Sequence, residues 1–329
     1  MPDFKVVVTD LGYETYDPER EQLAVAGDVE LVLAECETEA EVAEVCRDAD
    51  GVITRLAPVG PDAIEAMEAC RVISRYGVGV DNVDIPAATA KGIPVCNVRG
   101  YCDEDVSDHA LALLLSCVRR TVSRDRQVRA GEWDIGSAEP VYRIAGKTLG
   151  LVGYGAIPRT LHRKVAGFDL REVLIFDPYI PDEKAADAGV RKVSLDELCR
   201  QADFISIHAP LTDETRGMIG PDQFGMMKST AIVVNIARGP VVDTDALVNA
   251  LKTGQIASAG IDVYDPEPPP KDSPLFELPN IALTDHTGWY SEESQLELQQ
   301  SAAKNVALVL SGQRPLYCVN PEVLDARQE

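Results

Sequence analysis

Arg238 follows the apolar run Ile232–Ala237, Glu267 lies in the loop Asp265-Pro266-Glu267-Pro268, and His286 follows Asn280–Asp285. A guanidinium can grip a carboxylate and polarise the neighbouring carbonyl through two parallel hydrogen bonds. A carboxylate beside an imidazole stabilises the imidazolium and raises its pKa toward working pH, so that the ring can give or take a proton. The three groups are therefore the equipment for moving a hydride to or from a carbonyl. Each has a plainer reading on its own: a turn residue before Gly239-Pro240, a solvated acid, a capping histidine. Those readings weaken because the three stand at the ends of three successive predicted strands, the edge of an open α/β sheet where ligands bind. Asp262, at the end of Ala259-Gly260-Ile261, either bonds a nicotinamide amide or caps its strand.

The elements that position these groups begin with Gly153-Tyr154-Gly155-Ala156-Ile157-Pro158 after Thr148–Val152. Two glycines let the backbone turn sharply and approach a pyrophosphate, and the following helix points its first N–H groups at the anion. Pro158 replaces the third glycine of the usual pattern and falls in the first helical turn, where a missing N–H costs little. Asp177 closes the next apolar run, Val173–Phe176, nineteen residues beyond Pro158, the spacing of an acid that bonds the adenosine ribose. Pro178-Tyr179-Ile180-Pro181 offers no arginine for a 2′-phosphate, which favours NAD(H) over NADP(H).

With 329 residues, 45% of them hydrophobic, the chain has material for two cores. The spacing predicts strands over Lys5–Thr9, Glu30–Leu33, Gly51–Thr54, Arg71–Arg75 and Pro94–Asn97, with helices over Glu39–Arg47, Pro61–Ala69 and Ile85–Ala90. A long helix is expected from Asp103 to about Ala130, then an irregular stretch from Gly131 to Gly146. A second βα series follows, with strands over Thr148–Val152, Val173–Phe176, Phe204–Ile207, Ile232–Asn235, Ser258–Asp262 and Ile281–Leu283. An amphipathic helix over Glu292–Leu310 and a proline-bearing tail close the chain. The fold class is α/β with two doubly wound parallel-sheet domains, a Rossmann cofactor domain (100–290) inserted into a flavodoxin-like substrate domain (1–99 plus 291–329).

A net charge of −23 argues against nucleic acid and anionic membrane as partners. The acids are spread along the chain, as a salt-rich cytoplasm or an ordinary acidic enzyme would each allow. Eight cysteines without a C-x-x-C pair, and histidines at no ligand spacing, read as reduced thiols of a cytoplasmic protein, with no metal site. No signal peptide or membrane span is expected.

Over nearly its whole length the chain resembles the D-isomer-specific 2-hydroxyacid dehydrogenases. The likeness is carried by Arg75-Tyr76-Gly77-Val78-Gly79-Val80-Asp81-Asn82-Val83-Asp84, the glycine loop, His208-Ala209-Pro210-Leu211-Thr212, Asn235-Ile236-Ala237-Arg238-Gly239 and Gly260-Ile261-Asp262-Val263. The resemblance implies that Arg238, Glu267 and His286 are catalytic. It also implies that the N–H groups of Gly77 to Gly79 bind the substrate carboxylate, and that His208, Ala209, Pro210, Thr212, Asn235, Ile236, Ala237, Pro178 and Asp262 line the cofactor. Val106 stands where some relatives place a small polar residue near the nicotinamide. His286-Thr287-Gly288-Trp289-Tyr290-Ser291-Glu292 and Phe176-Asp177-Pro178-Tyr179 are similar to the C-terminal binding protein branch, which implies Trp289 and Arg75 as substrate-pocket residues, with interdomain packing and a surface place at the strand end as their plainer readings.

The activity implied is NAD(H)-dependent reduction of a small 2-oxo acid, in a cleft between two domains of a homodimer built on the cofactor domains. A rival of another class is an NADH-sensing scaffold with little turnover. Ending at Glu329, the chain is not expected to carry the regulatory domain of long phosphoglycerate dehydrogenases, nor serine feedback. Glu267 argues against formate dehydrogenase chemistry, and Val78 in place of a basic residue argues against phosphite oxidation.

Overall fold

The computed structural model describes residues 2–133 and 140–325. The chain divides into two compact units, Met1–Tyr101 with Ser291–Glu329, and Cys102–Tyr290.

In the first unit the strands are β1 (Phe4–Val8), β2 (Val29–Leu33), β3 (Gly51–Thr54), β4 (Val72–Arg75) and β5 (Val95–Cys96), all parallel, in the order β2-β1-β3-β4-β5. This is the flavodoxin order. Val7, Val52, Ile73 and Val95 face Val42, Ile64 and Met67 in one core. The helix Glu39–Val45 starts on a capping box: Thr38 Oγ1 accepts from Glu41 N, and Glu41 Oε2 accepts from Thr38 N. The 19-residue helix Glu292–Leu310 returns to this unit from the far end of the sequence. A side chain at Gly51 would meet Val306 Cγ1 at 2.7 Å, and Ser74 Oγ donates to Ala302 O at 2.9 Å, so helix and sheet lie close. The tail is tied to β5, since Val319 N donates to Val95 O and Asn320 Oδ1 accepts from Val95 N.

The second unit holds β6 (Thr148–Val152), β7 (Glu172–Phe176), β8 (Arg191–Lys192), β9 (Phe204–Ile207), β10 (Ile232–Asn235), β11 (Ser258–Ile261) and β12 (Ile281–Leu283). They form one parallel sheet in the order β12-β11-β10-β9-β6-β7-β8. Strands β6, β9, β10 and β11 are buried along their whole length, which is why they read as unbroken apolar runs. β8 was not expected. It is a two-residue edge strand whose Arg191 bonds Glu172, Glu197 and Gln201, so it carries charge where an interior strand carries hydrophobic residues.

The long helix expected from Asp103 to about Ala130 is two helices, Asp103–Arg119 and Thr121–Arg129. Arg120 between them is left-handed (φ 58°), a conformation costing about 1–2 kcal/mol for an L residue. Its guanidinium donates to Ala257 O at 3.2 Å, a tertiary contact that no local signal announces. Of the expected irregular stretch Gly131–Gly146, residues 134–139 lie outside those described. Helix Asp103–Arg119 packs on β10 and β11, where a side chain at Gly260 would meet Leu113 Cβ at 2.9 Å.

Asp203, buried just before β9, staples the sheet at its amino-terminal edge. Its carboxylate accepts from Thr148 N and Lys228 Nζ, both at 3.0 Å, with Lys147 Nζ at 3.6 Å. Burial pushes its pKa up, but the Thr148 N–H and the two ammonium groups outweigh burial and hold it below the usual carboxylate value. A depressed folded pKa means stability that is complete above the unfolded value, about 3.9, and lost as pH falls through the folded one. Asp203→Asn should therefore cost about 1–3 kcal/mol at neutral pH. Urea melts of both proteins should show the gap closing below about pH 4; a gap independent of pH would refute the assignment.

Candidate active site

The chain reverses at Gly153, where φ is +88° and a Cβ would press on His208 C and O and Ala209 N at 3.1–3.2 Å. Only glycine satisfies both demands. Gly155 caps the helix Ala156–Lys164, and the space where its side chain would stand is open. The first-turn N–H groups of that helix, at Ala156 and Ile157, have no carbonyl partner within it. Pro158, buried, is its third residue. Asp177, directly after β7, accepts from Tyr154 N through Oδ2 and from Tyr179 N through Oδ1, both at 2.9 Å, which locks the glycine loop to the turn through Pro178. The Tyr154 ring is buried, its hydroxyl 2.8 Å from His162 Nδ1 and its face 5.5 Å from the Arg159 guanidinium, so Tyr154 offers a ligand only its backbone. Arg159 and His162 carried no sequence signal.

β6 and β9 are neighbours from which the sheet winds in opposite directions, the crevice where dinucleotides bind in such folds. At the end of β9, His208 Nε2 lies 2.8 Å from Ser206 Oγ, while its Nδ1 is buried with no hydrogen-bond partner among the described residues. Burial pushes its pKa down to about 3, so the ring is neutral. Ala209 and Pro210 lead into a closed turn in which Thr215 Oγ1 donates to Pro210 O and accepts from Thr212 N. Asn235, buried at the end of β10, folds over Ile236 and Ala237: its Oδ1 accepts from Ala237 N and its Nδ2 donates to Arg238 O. Val106 is buried on the helix Asp103–Arg119. A glycine cradle against the β9 turn, a buried orphan nitrogen and a helix N-terminus fit a dinucleotide.

Arg238, Glu267 and His286, the three groups expected to react, stand on loops after β10, β11 and β12, adjacent strands of the sheet. Arg238, half-buried, donates through Nη1 to Ala237 O at 2.7 Å. A side chain on the next residue, Gly239, would overlap Tyr264 O, so the Arg238 turn lies directly on the loop leading to Glu267. Glu267 Oε2 is 2.9 Å from His286 Nδ1. An ionised carboxylate only accepts, so Nδ1 carries the proton and Nε2 is the end of the ring left for chemistry.

His286 has φ 58°. Its N–H donates to Asp262 O at 2.8 Å, and the buried Asp262 carboxylate holds the residues around it. Oδ1 accepts from Thr284 Oγ1 (2.6 Å) and Thr287 N (3.1 Å), Oδ2 from Gly288 N (3.1 Å), and His109 Nε2 lies 3.3 Å from Oδ1. Burial raises the Asp262 pKa, but the bonds from His109, Thr284 and Gly288 prevail and lower it. Trp289 is half-buried, edge-on to Tyr290 with centroids 5.7 Å apart.

In the first unit, Gly77 (φ 134°) leads the predicted substrate loop, and a side chain there would collide with the Arg75 guanidinium. Asn97 Nδ2 donates to Val78 O and Val98 N to Gly77 O, which pins the loop by its carbonyls. Val78 is exposed and Gly79 follows it. Tyr76 is buried, its hydroxyl donating at 2.7 Å to Glu19 Oε1, a carboxyl whose pKa burial raises. Sequence reasoning missed Tyr13 and Arg55. The Tyr13 hydroxyl is buried with no hydrogen-bond partner among the described residues, and Arg55 and Arg75 both act on it electrostatically. Arg55, like Arg75, stands at the carboxyl end of a strand, a signal that was available.

Residues 111–288 match the family described as D-isomer specific 2-hydroxyacid dehydrogenase, NAD binding domain. The chain belongs to that family. It is 40% identical over 291 residues to a glyoxylate reductase of Korarchaeum cryptofilum, covering 87% of each chain. It is 39% identical over 318 residues to a D-3-phosphoglycerate dehydrogenase of Methanocaldococcus jannaschii, covering 96% of this chain and 59% of that one. Among solved structures, a glyoxylate reductase from Paecilomyes thermophila superposes with a TM-score of 0.87 at 28% identity, over 98% of this chain and 100% of the other. This 2-hydroxyacid dehydrogenase is thus an NAD(H)-dependent oxidoreductase, and its bound cofactor supplies or accepts the hydride. Gly153→Ala in the dehydrogenase places a Cβ against the His208 carbonyl at positive φ. NADH affinity, followed by fluorescence titration, should fall by about tenfold or more, the equivalent of about 1–3 kcal/mol of strain. Undiminished affinity in a folded variant would show that the cradle is not the coenzyme site.

Proposed function

We propose that the protein reduces a small 2-oxo acid to the (R)-2-hydroxy acid, with His286 as acid and base, Glu267 as the anion that orients it, and Arg238 as the group that polarises the carbonyl and holds the carboxylate. The observation that carries this reading is the 2.9 Å pair between Glu267 and His286 Nδ1, which leaves Nε2 as the proton donor. Gly77, Val78 and Gly79 take the substrate carboxylate through backbone N–H groups. Arg75 and Trp289 face the rest of the acid. Asp177 bonds the adenosine ribose, and Asp262 the nicotinamide amide.

Two substrate sizes have support. Relatives named glyoxylate reductase speak for the smallest 2-oxo acids. The buried Tyr13 hydroxyl, on which Arg55 and Arg75 both act electrostatically, favours an acid with a second anionic group, as in the relative named D-3-phosphoglycerate dehydrogenase. The protein works in the cytoplasm, in keeping with its eight cysteines, none of them in a disulfide. It pairs with a second copy through the cofactor-binding unit, where the helix Thr121–Arg129 buries none of its residues and Val128, Trp133 and Tyr142 are exposed.

A panel running from glyoxylate to phosphohydroxypyruvate, read by NADH consumption, tests the activity and separates the two substrate classes. His286→Ala should lower kcat by about 10²–10⁴-fold on the best acid, as expected for lost general acid catalysis. Glu267→Gln, which keeps a polar partner but removes its charge, should lower it by about tenfold, the scale of a charge-assisted hydrogen bond. Tight NADH binding with no turnover on any acid would overturn the enzymatic reading. Light scattering should give a dimer that Trp133→Glu weakens; a monomer at micromolar concentration would refute the pairing.

A further inference from the structure

His109 occurs in none of the motifs that carry the catalytic reading, yet it reaches the centre of the hydrogen-bond cluster under His286. It is the seventh residue of the helix Asp103–Arg119, one turn before Leu113 on the same face. Leu113 lies against Gly260, where any side chain would force the helix away from β11. Two residues beyond Gly260, on the same face of the strand, comes Asp262. The missing Cβ at Gly260 thus lets His109 approach Asp262.

His109 Nε2 lies 2.9 Å from Thr284 Oγ1 and 3.3 Å from Asp262 Oδ1. Thr284 gives its hydroxyl proton to Asp262 at 2.6 Å, so its oxygen can only accept from the imidazole. The carboxylate also only accepts. Both partners therefore require a proton on Nε2, and the ring acts as a shared donor. On the other side, a Cβ at Gly288 would meet His109 Cδ2 at 3.2 Å and Asp262 Oδ2 at 2.9 Å, so the loop lies directly on the ring and the carboxylate.

We propose that His109 is a positioning residue for the reaction: by donating to Thr284 and Asp262 it fixes the carboxylate that holds Thr287 N and Gly288 N, and thereby the left-handed backbone that aims the His286 ring. This rests on the reading of His286 as the proton donor. His109 touches neither substrate nor reacting atoms in this role. It acts through Asp262 and the loop.

His109→Leu removes the donor, and His109→Gln returns an N–H at the end of a chain of similar reach. In the coenzyme-free protein, amide hydrogen exchange at Thr287 and Gly288 should be about tenfold faster in His109→Leu, the scale of one lost hydrogen bond, and back to about the wild-type rate in His109→Gln. With NADH and glyoxylate, kcat should fall by about tenfold in His109→Leu with KM for glyoxylate changed by less than about twofold, and recover in His109→Gln. Thr284→Val should reproduce the exchange result, and the double variant should be no worse than either single one. Should His109→Leu fail to fold, His109→Phe, which keeps a ring and removes the donor, decides by the same exchange readout. Unchanged exchange in His109→Leu, or a loss that glutamine does not restore, overturns the proposal in favour of plain packing. If the wild-type protein reduces no acid, the proposed function falls, while the exchange data still decide whether His109 orders the loop.

Discussion

An imidazole can pass a proton to a chosen atom only if the backbone beneath it stays still, and the backbone of His286 is in the left-handed conformation, which is uncommon for a residue with a Cβ. Asp262 supplies what is needed. Its main-chain oxygen takes the His286 N–H, and its carboxylate takes two further backbone N–H groups and the Thr284 hydroxyl. Buried anionic acceptors of this kind are strong because no water competes for them. One side chain at the end of β11 therefore determines where the chain goes after β12.

The same economy recurs in the glycines. Gly153 admits the β9 turn, Gly239 admits Tyr264 O, and Gly260 admits the helix Asp103–Arg119. Each marks a place where two elements approach more closely than any side chain allows. Each lies beside a group that must be placed: the glycine turn after β6, Arg238 or Asp262. Parallel strands make this arrangement possible, because every strand delivers its carboxyl end to one edge and the connecting helices return on the faces.

The main features of the fold were legible because buried parallel strands are continuous apolar runs, and eleven of the strands coincide with such runs to within a residue or two. β8 was not, because an edge strand of two charged residues has no apolar pattern to read. The break at Arg120 was not legible either. The cause is a hydrogen bond to Ala257 O, distant in sequence, and helix propensity continues across it. In the candidate site, the placing of Arg238, Glu267 and His286 at the ends of three successive strands marked them jointly. Tyr13 and His109 escaped notice because each depends on what lies opposite it, whereas Arg55 stands at a strand end that the sequence marks.

From the amino-acid order alone came the alternation of strand and helix, the glycine turn with its acid nineteen residues on, and the family to which the chain belongs. These are local patterns, and local sterics and hydrophobic periodicity are sufficient to produce them. Tertiary structure decided the rest: that Glu267 meets Nδ1 of His286, that Asp262 has its carboxylate engaged by the His286 loop, and that His109 stands beside both. Such pairings depend on which faces of helix and strand come together, and no spacing along the chain encodes the distance between them.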